Sequence, residues 1–156
     1  MALMASAPGR GLDRYRSANA AAALVLRATG FAGAADPEGG TAMSADPVPE
    51  VSAEEGHRLV EAGALLLDVR ETDEWEAGHA PGATWIPLGE IQTRVGELPR
   101  DARIVAICRS GARSNAVTAA LIGAGYDAVN VDGGMRAWAA EDYPVVATDG
   151  LPGVVV

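Results

Sequence analysis

The sequence predicts an α/β domain, a mostly parallel central sheet of about five strands with helices on both faces. Three observations predict it. Short, mostly apolar runs recur at residues 64–69, 104–108 and 128–131, the pattern of strands buried on both faces. Helical stretches closed by glycine lie among them, at 52–62 before Gly63 and at 113–124 before Gly125. Strand and helix alternate through short loops, and parallel strands need such crossovers because no tight turn can join them.

Residues 1–45 are Ala- and Gly-rich, lack alternating apolar patterning and end in the loop-like run Ala35-Asp36-Pro37-Glu38-Gly39-Gly40. That composition predicts a disordered or non-native extension rather than a packed core. Arg10, Arg14 and Arg16 precede a mild apolar stretch at 18–26 that loosely resembles a secretory leader, but Arg27 cuts it short. A cytoplasmic location is the expectation, with export the alternative if residues 1–35 act as a leader. Met43, immediately before the patterned region, offers an alternative start.

The patterned domain is expected over 46–146. An extended piece at 48–51 leads to Ser52-Ala53-Glu54-Glu55, a capping-box pattern opening the first helix. After the strand at 64–69 come a brief acidic helix at 72–77, a short strand at 84–86 and an irregular helical piece at 88–95. The strand at 104–108, the Ala- and Leu-rich helix at 113–124 and the strand at 128–131 complete the pattern, and 147–156 reads as a C-terminal tail. A chain of 156 residues holds one such domain.

Charge narrows the function classes. Residues 1–42 hold four Arg against three acids, whereas 43–156 hold eight Arg against eighteen acids, a net minus ten with no Lys anywhere. Phosphate contacts need clustered cations, so neither nucleic acid nor an anionic membrane is the expected partner. A small anionic ligand would need a local cluster of Arg to overcome the background. The lone Cys108 excludes an internal disulfide, a CxxC redox pair and a multi-thiolate zinc site, and His57 and His79 are too few for a metal centre. No metal and no cofactor are expected.

Such an Arg cluster occurs in Cys108-Arg109-Ser110-Gly111-Ala112-Arg113-Ser114, between a predicted strand and the helix after it. Ligands of open α/β sheets bind at the carboxyl ends of strands, and a helix N-terminus there presents unpaired N–H groups and a positive dipole end. Gly111 lets the backbone curl into an anion nest, and Arg109 and Arg113 add cationic side chains. The same features favour the Cys108 thiolate over the thiol, whose free pKa is about 8.5. A free Cys after an apolar strand is more often a small buried hydrophobe, but the glycine loop, the two Arg and the helix start together favour a nucleophile.

The chain resembles the rhodanese-like single-domain sulfurtransferases over residues 46–146. The resemblance rests on Leu67-Asp68-Val69-Arg70 with Glu74 and Gly78-His79-Ala80-Pro81-Gly82-Ala83, on the Cys-Arg-Ser-Gly loop, and on Asp132-Gly133-Gly134-Met135-Arg136-Ala137-Trp138. It implies a rhodanese fold and a Cys108 that carries a persulfide. It also implies a substrate cradle of Arg109, Ser110, Gly111, Ala112 and Arg113, in which the two Arg attract thiosulfate as donor. Cyanide, a thiol or a protein sulfur acceptor would take the sulfur. Asp68, Arg70, His79 and Trp138 would be scaffold, and Ala112, where a polar residue is frequent, removes a side-chain hydrogen bond at most.

Two rivals remain. A cysteine phosphatase or arsenate reductase shares the strand, loop and helix, but its signature is Cys-x5-Arg, whereas Arg113 gives Cys-x4-Arg here and leaves less room for a tetrahedral oxyanion. A non-catalytic or carrier module of the same fold is the other, and retention of Cys108 and both loop Arg favours activity over mere binding.

Overall fold

A computed structural model describes residues 46–156, so the expectations for 1–45 lie outside the described residues. Five strands, β1 (Glu50–Val51), β2 (Leu65–Asp68), β3 (Thr84–Trp85), β4 (Ile104–Ile107) and β5 (Ala128–Val131), form one sheet in the order β1-β5-β4-β2-β3, and every pairing is parallel. The helices are α1 (Ala53–Glu61), α2 (Thr72–Ala77), α3 (Ile91–Arg94), α4 (Ala112–Gly123) and α5 (Gly134–Ala140).

Both faces of the sheet are covered, as strands so rich in apolar residues require. Ile104, Cys108 and Ala128 pack with Ile91 of α3 and Val117, Ala120 and Leu121 of α4. Val105, Ile107, Val129 and Val131 point the other way, onto Ala53 of α1 and Met135 and Trp138 of α5. The period of two along β4 and β5 thus divides one apolar run between two cores.

Local chemistry sets the element ends. Ser52 caps α1 by accepting the Glu55 N–H at 3.1 Å, an interaction of about 1 kcal/mol. Gly63 follows the helix at φ +106°, where a side chain would be strained. The irregular piece predicted at 88–95 resolves into two 3-10 turns, Leu88–Glu90 and Val95–Glu97, flanking the single turn of α3.

Two features depart from the sequence expectation. Helix α5 was legible only as a motif, because it opens on Gly133 and Gly134, both at positive φ, and a Gly-Gly pair reads as loop. Residues 147–156, a tail in the sequence, hydrogen-bond back onto the domain: the Val154 N–H reaches the Ala77 carbonyl and the Thr148 N–H that of Glu76. Val146 bridges both His79 and Pro152 in antiparallel fashion. The approach is close enough that a Cβ on Gly153 would lie 2.7 Å from the Gly78 Cα, so glycine is what admits the crossing.

Candidate active site

The site grows from β4, the middle strand of the sheet. Its apolar residues end at Ile107, and the next residue, Cys108, is fully buried at the strand's carboxyl end. The chain then turns through exposed Arg109 and Ser110 to Gly111, the N-cap of α4, held at φ +98°. A Cβ on Gly111 would meet the Val131 carbonyl oxygen at 3.1 Å in an already unfavourable conformation, so the turn requires glycine.

That turn points donors at sulfur. The Gly111 N–H lies 3.2 Å from Cys108 Sγ, and the Ser114 hydroxyl lies 3.3 Å from it. The Ser114 hydroxyl also reaches the Gly111 carbonyl at 3.2 Å. One proton cannot serve both acceptors, and a charged thiolate is the stronger of the two. Burial pushes the Cys108 thiol up, but the Ser114 hydroxyl and the N–H groups of Ser114, Ser110 and Gly111 outweigh it and hold the pKa below the usual thiol value.

A rate that depends on the thiolate rises with pH through the Cys108 pKa and is flat above it. Lowering that pKa extends the plateau toward acid, and removing a donor retracts it. Ser114→Ala is therefore expected to move the acid limb of the pH profile for alkylation of Cys108 to higher pH with the plateau rate nearly unchanged, as read by the initial rate of Cys108 modification across pH. An unmoved limb would show that the Ser114 hydroxyl does not stabilise the thiolate.

The loop is braced from two sides. Gly134 sits against it so closely that a Cβ would lie 2.7 Å from the Arg109 carbonyl carbon and would also strike the Cys108 oxygen. This lets the start of α5 donate to the loop, from Met135 N to the Cys108 carbonyl at 2.7 Å and from Arg136 N to that of Arg109 at 3.1 Å. On the other side the buried Asn130 amide nitrogen donates to Glu50 Oε1 at 2.9 Å and to the Gly111 carbonyl at 3.2 Å. Both partners are acceptors, which fixes the orientation of the amide and ties the Gly111 carbonyl to β5.

The structure places the predicted site residues unequally. Ser110 and Gly111 serve through backbone N–H groups, Arg109 is exposed, and Ala112 is exposed at the first turn of α4. Arg113 does not stand free: its Nη1 and Nη2 donate to Glu74 Oε2 and Oε1, each at 2.7 Å. The Glu74 carboxyl is held below the usual carboxylate range chiefly by this contact, and the Arg113 guanidinium is raised by it. Of the two guanidinium groups expected to attract an anion, one is thus already matched by a carboxylate.

Sequence reasoning missed two participants. Ser114 was legible in principle, since it lies three residues after the Gly111 cap and so on the helix face that looks back at Cys108. Glu74 was not, because 39 residues separate it from Arg113. Its position is set by Arg70, which is fully buried, pairs with Asp68 Oδ2 at 2.8 Å and donates to the carbonyls of Glu74 at 3.1 Å and Gly78 at 2.7 Å. Asp68 and Arg70 are scaffold in that sense. His79 stacks on Trp75 with ring centroids 3.7 Å apart, and Trp138 lies in the core beside α1.

Comparison with known proteins agrees with this architecture. The family model of the rhodanese-like domain matches residues 52–141. The putative sulfur carrier protein YrkF of Bacillus subtilis is 41% identical over 98 residues, which cover 61% of this chain and 53% of that protein. The chain thus spans about half the length of that relative. A sulfurtransferase of Allochromatium vinosum is 42% identical over 87 residues, covering 55% of this chain and 81% of that protein. Among solved structures, a rhodanese-related protein from Thermoplasma volcanium superposes with a TM-score of 0.60 at 34% identity, over 63% of this chain and 97% of that one.

Proposed function

The chain belongs to the rhodanese-like domain family, and on that premise we propose that it is a sulfurtransferase whose Cys108 accepts a sulfane sulfur as a persulfide and passes it to a thiophilic acceptor. The observation that carries the proposal is the convergence of the Gly111 N–H and the Ser114 hydroxyl on the sulfur of the chain's lone cysteine. Donors so placed stabilise the attacking thiolate without reorganising at the moment of reaction.

The donor is written X–S⁻, with thiosulfate the simplest case. Cys108 Sγ attacks the outer sulfur, the bond between that sulfur and the sulfonyl sulfur breaks, and its electron pair leaves with sulfite. The cysteine persulfide is also an anion, so the same N–H and O–H donors suit it. In the second half-reaction cyanide or a thiolate attacks the outer sulfur and the Cys108 thiolate is regenerated. One cysteine suffices for the cycle. A protein thiol is the acceptor in a second reading, favoured by the likeness to a protein named as a sulfur carrier.

Intact mass tests the proposal. Incubation with excess thiosulfate, followed by desalting without reductant, is expected to add one sulfur, about 32 daltons, and cyanide is expected to remove it. No adduct from thiosulfate or from glutathione persulfide would leave the fold without this activity.

A further inference from the structure

Ionised side chains around Cys108 add up to less positive charge than the loop sequence suggests. Arg113 is held by Glu74 through two hydrogen bonds of 2.7 Å, and the Glu74 carboxylate is fixed again by the Glu71 N–H at 3.1 Å. The Glu74 side chain is only 13% exposed, so an incoming anion would have to break a shielded, triply bonded carboxylate away from Arg113 to use it. Glu71 adds a further negative charge within reach of Arg113. Arg109 is exposed and makes no ion pair among the described residues, and the thiolate itself offsets its charge. Arg109, Arg113, Glu74 and the Cys108 thiolate together therefore carry no net positive charge to set against a dianion.

We propose that the Glu74–Arg113 pair makes this site select a monoanionic sulfane-sulfur donor, of the thiosulfonate type R–SO2–S⁻ or the persulfide type R–S–S⁻, over the thiosulfate dianion. The inference rests on the sulfurtransferase reading and names the donor class of the same site. Chemistry is unchanged by the choice. Thiolate and thiosulfonate give the cysteine persulfide and a sulfinate, R–SO2⁻, with the electron pair of the broken S–S bond leaving on the sulfinate and charge conserved. Glu74 does not touch the donor and acts through Arg113, so it is a positioning and charge-setting residue.

Thiosulfate and methanethiosulfonate, CH3–SO2–S⁻, differ by one unit of charge at nearly the same size and reacting centre. With cyanide as common acceptor, kcat/KM for the donor in this two-step cycle reports the first half-reaction alone. The ratio of kcat/KM for thiosulfate to that for methanethiosulfonate removes differences in folded fraction and in thiol reactivity. Glu74→Gln is expected to raise the ratio about tenfold, the order expected for one partly screened unit charge near the donor. Arg113→Gln, which leaves Glu74 unmatched, is expected to lower it by about as much. The double variant Glu74→Gln with Arg113→Gln is expected to return within about threefold of the wild type.

A ratio that stays constant across these variants overturns the proposal, and so does a fall in Glu74→Gln. Should Glu74→Gln not fold, Arg113→Gln and the double variant carry the test, and equal ratios in those two overturn it. Sulfur transfer from neither donor by the wild type instead overturns the sulfurtransferase reading, which separates the two failures.

Discussion

Cys108→Ser is expected to lower kcat/KM for sulfur transfer by at least about a thousandfold, because the replaced atom is the one that forms and breaks bonds. A serine hydroxyl stays protonated near neutral pH and offers no soft nucleophile to sulfur. The fold should survive. Serine is close in shape, and its oxygen keeps both neighbours of the buried sulfur, the Gly111 N–H at 3.2 Å and the Ser114 hydroxyl at 3.3 Å. The cost is a polar atom in a core that Cys108 shares with Ile104, Val117 and Leu121, about 1 kcal/mol and a fall in Tm of several degrees. Steady-state rates with thermal unfolding followed by circular dichroism check both halves. Residual transfer within tenfold of the wild type would place the reacting atom elsewhere.

Arg70→Met is expected to lower unfolding free energy by about 3–5 kcal/mol, the largest loss of stability we anticipate from one side chain. Arg70 and Asp68 are both wholly inaccessible, and the guanidinium makes contacts of 2.8–3.1 Å with the Asp68 carboxylate. Removing it strands a buried carboxylate. It also strips the Gly78 carbonyl of a buried donor, a further desolvation penalty, and leaves the Glu74 carbonyl only the Gly78 N–H at 3.4 Å. For a domain whose total stability is about 5–15 kcal/mol, such a loss brings the chain near its threshold. The urea midpoint measures it. Asp68→Leu combined with Arg70→Met should recover part of the loss, since an apolar pair removes the stranded charge. A single variant as stable as the wild type would mean that water reaches the pair.

The two effects separate roles that lie close in space. Cys108 is the proposed reacting group, whereas Arg70 acts on α2, whose Glu74 then grips Arg113 at the head of α4. The buried Asp68–Arg70 pair is therefore scaffold for the site as well as for the fold.

Much of this was written locally in the chain. Short, mostly apolar runs at β2, β4 and β5 predict strands buried on both faces, and burial on both faces demands parallel pairing and covering helices. Cys108 at a strand's carboxyl end, followed by glycine and a helix, marks the proposed nucleophile and its cradle for the same reason: strand ends and helix starts expose unpaired N–H groups in a predictable place. Helix α5 escaped because its two opening glycines disguise a helix whose stability comes from packing Met135 and Trp138 and from holding the carbonyls of Cys108 and Arg109.

Tertiary structure alone decided the charge of the site and the course of the C-terminus. Arg113 reads in sequence as a free cation, yet an acid 39 residues earlier neutralises it, and no periodicity links positions that meet only when two crossovers close. Val154 and Thr148 likewise find the carbonyls of Ala77 and Glu76 only because two glycine backbones can cross there. Local sequence determines which elements form and where they end, since those depend on neighbours three or four residues away. Which side chains cancel, brace or shield one another depends on distances that the packed sheet sets.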